Sequence, residues 1–442
     1  MNFTRVQLIM IGSVVFVVLL LAGIFTGILP FTRTATQQAP QVTLTIWGIE
    51  DRPTMQNVIA LYQNLRTNVH ISYEQHDPTT YEQDLLNALA AGNGPDIAMF
   101  HSSWLPKHYD KIVPATDAQM SAVNLDKLFP SVITQDFVGT DSTGKQSVYA
   151  LPLYIDTLAL VYNQDTFDKN GIALAPQDWL DLQNLIPKLL QKDASGAITK
   201  PAVAIGGSGK TVDNAGDLLS LLMLQAGAQM TNSAGTQATF SANVGNTIPG
   251  LDALNFYTKF SDPSNTYYTW NDSLPYSLDS FAKGDTAMIF AYQSELNTIK
   301  NKNPYLNFKV APMPQPTGAQ KAVNVADYWG LAVTKNSKNP DWAWDAILYL
   351  TANETPAEQY LQATQHPPAL RTLIQKYAND PNLGVFAQQA LSAHSWSEIN
   401  KPAIRDIFSQ MISAVTTKQL QPQDALVQAE HQVTQLIQAR GQ

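Results

Sequence analysis

The chain has 442 residues, of which 45% are hydrophobic and 14% charged, with a formal net charge of −9 and no cysteine. The acidic balance argues against a surface built for nucleic-acid phosphates. Without cysteine there is no disulfide, thiolate metal site or cysteine nucleophile, and no thiol for an N-terminal lipid.

Val6 to Leu29 runs without one charge, between Arg5 and Arg33. As a helix it would span about 36 Å at 1.5 Å per residue, enough to cross a bilayer with tilt. Its apolar core is long for a signal peptide, and no clear A-x-A-like cleavage site follows. Residues 1–33 are therefore expected to be an uncleaved anchor, single-pass, with the body on the extracytoplasmic side. Residues 34–41, polar and ending in APQ, read as a disordered tether. About 400 residues follow, too many for one core and suited to two.

VTLTIW (Val42–Trp47) alternates at period two and reads as a strand. Met55, Val58, Ile59, Tyr62 and Leu65 recur at helical spacing, with Pro53 near the helix entry. VHISYE is a second strand. A second helix carries Tyr81, Leu85, Ala88 and Leu89, and ends at Gly92. PDIAMF is a third strand. This β-α-β-α-β order implies a parallel sheet with right-handed crossovers, hence an α/β fold. Asn339-Pro340 and Pro422 each open a later helix.

Tyr149 to Phe167, YALPLYIDTLALVYNQDTF, reads as a buried strand interrupted by one carboxylate, Asp156. A charge there is costly unless something pairs with it. Asp156 is either an edge residue facing water or capping a turn, or a residue with a task.

Six segments carry a family resemblance: VTLTIWGIEDRPTMQNVIALYQ, AAGNGPDIAMF, YALPLYIDTLALVYNQDTFDKNGI, GDLLSLLMLQAGAQM, FAKGDTAMIFAYQSEL and VNVADYWGLAVTKNSKNPDWAWDAILYL. In this order the chain resembles the extracellular solute-binding proteins of ATP-driven (ABC) importers, in the carbohydrate-binding group that includes maltose-binding protein. The resemblance implies a two-lobed clamp of type II with a ligand cleft between lobes. It places 42–153 and 312–352 in the first lobe, and 157–309 and 357–442 in the second. The first two crossings would fall near Leu153–Thr157 and Val310–Pro314, and the third after Leu350. It implies no cofactor and no catalytic step. The partners would be a small solute, most naturally a mono- or oligosaccharide, and importer permease subunits, with the protein itself a monomer.

By the same resemblance Asp156 matches a carboxylate that contacts sugar hydroxyls. Asp51 and Arg52 match a polar pair after the first strand, and Trp104 lies in the loop after the third. SSW here replaces a charged pair of the maltose-binding relative, which weakens any maltose-like specificity. Tyr292 and Trp329 stand where stacking aromatics occur. With Trp47 these seven residues would supply what a pyranose needs: aromatic planes for C–H faces and planar polar groups for hydroxyls. For each aromatic, packing in a core is the competing role.

Three other patterns carry less. AIGGSGKT (204–211) mimics the end of a phosphate-binding loop, but the motif's first glycine is Ala204. The histidines are scattered, and His101, His108, Asp96 and Asp110 match no compact zinc spacing. Asp96 in GPDI suits the ordering of a loop. Glu50, Asp51 and Asp156 suggest glycosidase carboxylates, yet nothing marks a raised-pKa acid. A ligand-sensing receptor that signals instead of transporting would need the same clamp, so sequence leaves it open beside transport; a glycoside-acting enzyme stands third.

Overall fold

In the computed structural model, the residues described are Thr4, 12–14, 17, 18, 40–141 and 143–439. The apolar run Val6–Leu29 thus lies almost wholly outside the described residues. Among those residues no helix is long and apolar enough to cross a membrane.

The chain from Val42 follows the expected order. The strand Val42–Gly48 buries every second residue. It pairs in parallel with Val69–Gln75 on one side and with Ile97–His101 on the other. The helix Arg52–Leu65 between the first two strands starts where Asp51 accepts a 2.9 Å hydrogen bond from the Thr54 N–H. That bond satisfies one of the orphan donors of a helix start. The helix Tyr81–Ala90 ends before Gly92, which takes φ +75° as a C′ residue. Asp96 accepts from the Thr45 N–H at 2.9 Å and the Ser337 hydroxyl at 2.6 Å, so it orders its loop.

A strand from far along the chain completes this sheet. Trp329–Thr334 runs antiparallel to Ile97–His101, with Trp329 opposite His101, and also pairs with Leu151–Pro152 and Ile112–Val113. Gly330 is required at this crossing of backbones. A methyl group there would stand 2.4 Å from the Leu151 carbonyl oxygen.

The segment read as one strand, Tyr149 to Phe167, is broken into three: Leu151–Pro152, Asp156–Thr157 and Ala159–Asn163. Each joins a different sheet. Ala159–Asn163 is the middle of an antiparallel sheet between Met288–Ala291 and Phe308–Ala311. Asp156–Thr157 pairs with Asn324–Asp327, which pairs in turn with Ala393–His394. This short ribbon is the connection between two bodies.

Two hydrophobic clusters define those bodies. One gathers Val42 to Ile155 with Ala326 to Ala393, and the other Leu158 to Val325 with Phe386 and Trp396 to Ile437. The chain changes cluster between Ile155 and Leu158 and again between Val325 and Ala326. The second change comes later than the expected 310–314. Residues 357–374, expected in the second lobe, pack in the first cluster. The cause is the helix Glu354–Thr364, which lies against Arg52–Leu65: Gln359 Nε2 donates to the Asn57 carbonyl at 3.0 Å, and the Tyr360 hydroxyl to Glu50 at 2.8 Å.

Candidate functional site

The break at Asp156 places its carboxylate against the start of the helix Gln293–Lys302. Its Oδ1 accepts from the Thr157 and Gln293 N–H groups, each at 2.9 Å, and its Oδ2 from the Ser294 N–H at 3.0 Å. The helix thereby gains an anion at its positive end and partners for two of its first donors. Asp156 is 2% exposed, so of the alternatives open in the sequence it is not an edge residue facing water. Burial pushes its carboxyl up to about 6, against the downward pull of the Ser294 and Gln293 N–H groups.

Sheet register gathers the aromatics. Because Trp329 lies opposite His101, its ring stands 4.9 Å from the imidazole. Trp104 packs edge-on to Trp329 at 5.0 Å and Tyr81 lies 5.9 Å away. Trp104 is buried and Trp329 half-buried, so Trp104 backs Trp329 instead of facing the cleft. Tyr292 is buried too, and its hydroxyl donates to Asp217 at 2.8 Å. Trp47 is half-buried with its ring 4.2 Å from His76, Asp51 caps its helix, and Arg52 is exposed.

Between these residues lies a buried ion network that sequence reading missed. Lys401 Nζ is 3.1 Å from Asp327, 3.4 Å from Asp217 and 3.7 Å from Glu398. Arg405 chelates Asp217 through Nε at 3.1 Å and Nη2 at 2.6 Å. His101 Nε2 is 2.6 Å from Asp327. His101 comes from the first body, Asp327 from the connecting ribbon, and Asp217, Lys401 and Arg405 from the second. The one local signal was the spacing of Lys401 and Arg405, four residues apart on one helix face. Burial raises Asp217 and Asp327, but the two cations outweigh it, with His101 adding at Asp327, and both carboxyls are held below their ordinary value. Among the described residues no cation contacts Asp136. Burial pushes it up to about 7 although Ser395 and Tyr328 donate to it.

These shifts set a pH optimum. The folded-state values of Asp156 and Asp136 lie above the unfolded value near 3.9, so the stability they contribute is complete below about pH 4 and is lost as pH rises through 6 to 7. Asp217 and Asp327 are lowered, so theirs is present above about pH 4 and lost on acidification. The melting temperature is expected to peak between about pH 4 and 6 and to fall toward pH 8. A series of melts would show this, and a temperature rising steadily from pH 5 to 8 would contradict it.

Two cavities flank the network. The smaller, ≈ 230 Å³, is lined by Tyr154, Asp156, Tyr292, Asp327, Trp329 and Arg405, with Asp213, Asn214, Ser294 and Glu295. Three of the seven residues singled out in the sequence meet there: Asp156, Tyr292 and Trp329. The larger, ≈ 840 Å³, lies between Ser102, Ser103, Tyr109, Gln135 and Tyr149 of the first body and Gln229, Asn232 and Trp396 of the second. None of the seven lines it, but it has the size of a ligand site. His101 and Glu398 of the network adjoin Ser102 and Ser397 of its wall.

The other patterns resolve into structure. Ser208 and Thr211 of the GGSGKT loop donate to Asp272 at 2.6 and 2.8 Å, which ties the loop to a distant segment of the chain. No group of three or more metal-ligating side chains occurs among the described residues.

Two α/β bodies joined by a narrow ribbon, with cavities between, define a two-lobed binding-protein fold. The chain belongs to the bacterial extracellular solute-binding protein family, whose profile matches residues 47–355. A Brucella abortus (strain 2308) protein described as a binding protein is 23% identical over 430 residues, 92% of this chain and 96% of its own. Among solved structures, the fold is similar to the sugar-binding protein MalE of Xanthomonas citri, with a TM-score of 0.74 at 18% identity, covering 90% of this chain and 98% of that one. It is similar also to a solute-binding protein of Thermotoga lettingae bound with α-D-tagatose, with a TM-score of 0.67 at 22% identity, covering 89% and 99%.

Proposed function

We propose that this protein captures a saccharide in the cleft between its two bodies, outside the cytoplasmic membrane, and delivers it to an ABC importer without a catalytic step or cofactor. The observation that carries the reading is the wall of the smaller cavity. Both bodies contribute to it, and it sets the indole of Trp329, backed by Trp104, among planar polar groups. Sugars need that pairing of apolar face and hydrogen-bonding rim. Sugar-binding names among the similar structures point the same way. The relative from Deinococcus radiodurans, 24% identical over 332 residues, is described as an ABC transporter-binding protein. The uncharged run Val6–Leu29 would tether the body to the membrane. Trp329, Tyr292 and Asp156 form the proposed ligand wall. Trp104 supports it from behind, while Trp47, Asp51 and Arg52 stand outside both cavities and would reach a ligand only at the rim.

Ligand binding would draw the two bodies together, since a solute touching both favours the closed arrangement. The test uses protein extracted from the membranes of its host, so that finding it in that fraction checks the tether at the same step. A thermal-shift screen against neutral mono- and oligosaccharides should yield at least one clear stabilisation, about 2.7 kcal/mol at a hundredfold excess over Kd. The saccharide reading is abandoned if no member of the panel moves the melt.

A further inference from the structure

We propose that Arg405 selects the solute, and that the class it selects is a neutral saccharide with adjacent free hydroxyls. This rests on the saccharide-capture reading above. The guanidinium is fixed by a two-point chelate to Asp217, whose carboxylate is 2% exposed and is itself held by the Tyr292 hydroxyl at 2.8 Å and by Lys401. Such fork-to-fork pairs fix orientation as well as charge. A guanidinium has five N–H donors, and Asp217 takes two. Asp327 lies 3.8 Å from Nη2, beyond hydrogen-bond reach, and the side chain makes no other hydrogen bond among the described residues. The side chain is 41% exposed and lines the same cavity as Trp329. It is therefore a preoriented set of donors beside an aromatic plane, with two of its five donors committed to Asp217.

The rest of that wall decides the charge of the ligand. Among the described residues Arg405 is its one cation, against the carboxyl groups of Asp156, Asp213, Glu295 and Asp327. A carboxylate-bearing solute would meet this acidic wall, and an ammonium placed against Arg405 would meet a like charge and offer its donors no acceptor. A pair of neighbouring hydroxyls suits both sides, because each accepts from Arg405 and donates to a carboxylate such as Asp327.

Titration calorimetry tests this with D-glucose, D-mannose, D-tagatose, maltotriose, mannotriose, glucuronate and glucosamine, on wild type, Arg405→Lys and Arg405→Gln. At least one neutral sugar should bind, and neither charged sugar more tightly than glucose. Arg405→Lys keeps an ion pair to Asp217 but loses the fork, so its ligand-free melt should stay close to wild type. Its affinity for the bound sugar should fall by about ten- to a hundredfold, the range for hydrogen bonds to a charged group. Should the variants fold poorly, protection of Arg405 from phenylglyoxal by the bound sugar, read on its peptide by mass spectrometry, answers the same question in the unaltered chain. Affinities within twofold in a folded variant, a lack of protection, or a preference for glucuronate or glucosamine would overturn the assignment while leaving saccharide capture standing. Failure of every neutral sugar to bind wild type would overturn both.

Discussion

Lys401→Met is expected to cost about 3–5 kcal/mol of stability, the range found when one partner of a buried ion pair is removed. Lys401 is only 8% exposed, and its ammonium lies within 4 Å of three carboxylates, Asp327, Asp217 and Glu398. Methionine matches the stem and leaves those charges to Arg405 and His101. Arg405 is already committed to Asp217 at 2.6 Å and stands 3.8 Å from Asp327, so it compensates only in part. Because Asp327 belongs to the connecting ribbon and Asp217 to the second body, the loss should also loosen the joint between the two. Urea unfolding of the ligand-free protein would show a lower midpoint. A change under about 1 kcal/mol, the size typical of an exposed pair, would mean that the network is wet in solution.

Asp156→Ala should lower the stability of the ligand-free protein by about 2–4 kcal/mol. Three N–H donors lose their acceptor, and two of them open the helix Gln293–Lys302. Hydrogen bonds to a charged acceptor are each worth about 1.5–3 kcal/mol, and loss of a helix cap about 0.5–2, with overlap between the two counts. Ionised Asp156 has itself been costly to bury, which offsets part of the loss, and the offset should shrink as the group protonates near its pKa of about 6. Asp156→Asn, which keeps one carbonyl oxygen, should fall between wild type and alanine. A melt of the ligand-free proteins together with a titration separates the two roles of this residue. An alanine variant that melts like wild type yet binds weakly would return Asp156 to a pure ligand contact.

Much of the fold was legible because it is written in short-range periodicity. The alternation of Val42–Gly48, the spacing of Met55 to Leu65 and the glycine at 92 each report on a local backbone, and each element formed where that signal stood. The helices opened by Pro340 and Pro422 formed for the same reason. The parallel order of the first three strands followed from their alternation with helices.

The candidate site was legible only in its residue types. Sequence named Trp329, Tyr292 and Asp156, which share one wall, but the roles of their neighbours came from distance. Trp104 turned inward because the indole of Trp329 took the outer position, an outcome of the register that sets Trp329 opposite His101. Arg405 and Lys401 gave no sign beyond their helical spacing, since their partners Asp217 and Asp327 lie far away along the chain.

By itself, then, the sequence determined the α/β class, the order of its elements and the presence of aromatic and acidic groups suited to a polar solute. Tertiary structure alone decided where the chain passes from one body to the other, that helix Glu354–Thr364 packs on the first, and that Asp156 ends a helix start. It also decided that six charged or titratable groups from three regions close into one network. The physical reason is that periodicity records what each residue turns toward solvent or core, whereas pairing between distant strands and charges depends on which surfaces meet. A single chain carries no local mark of that meeting.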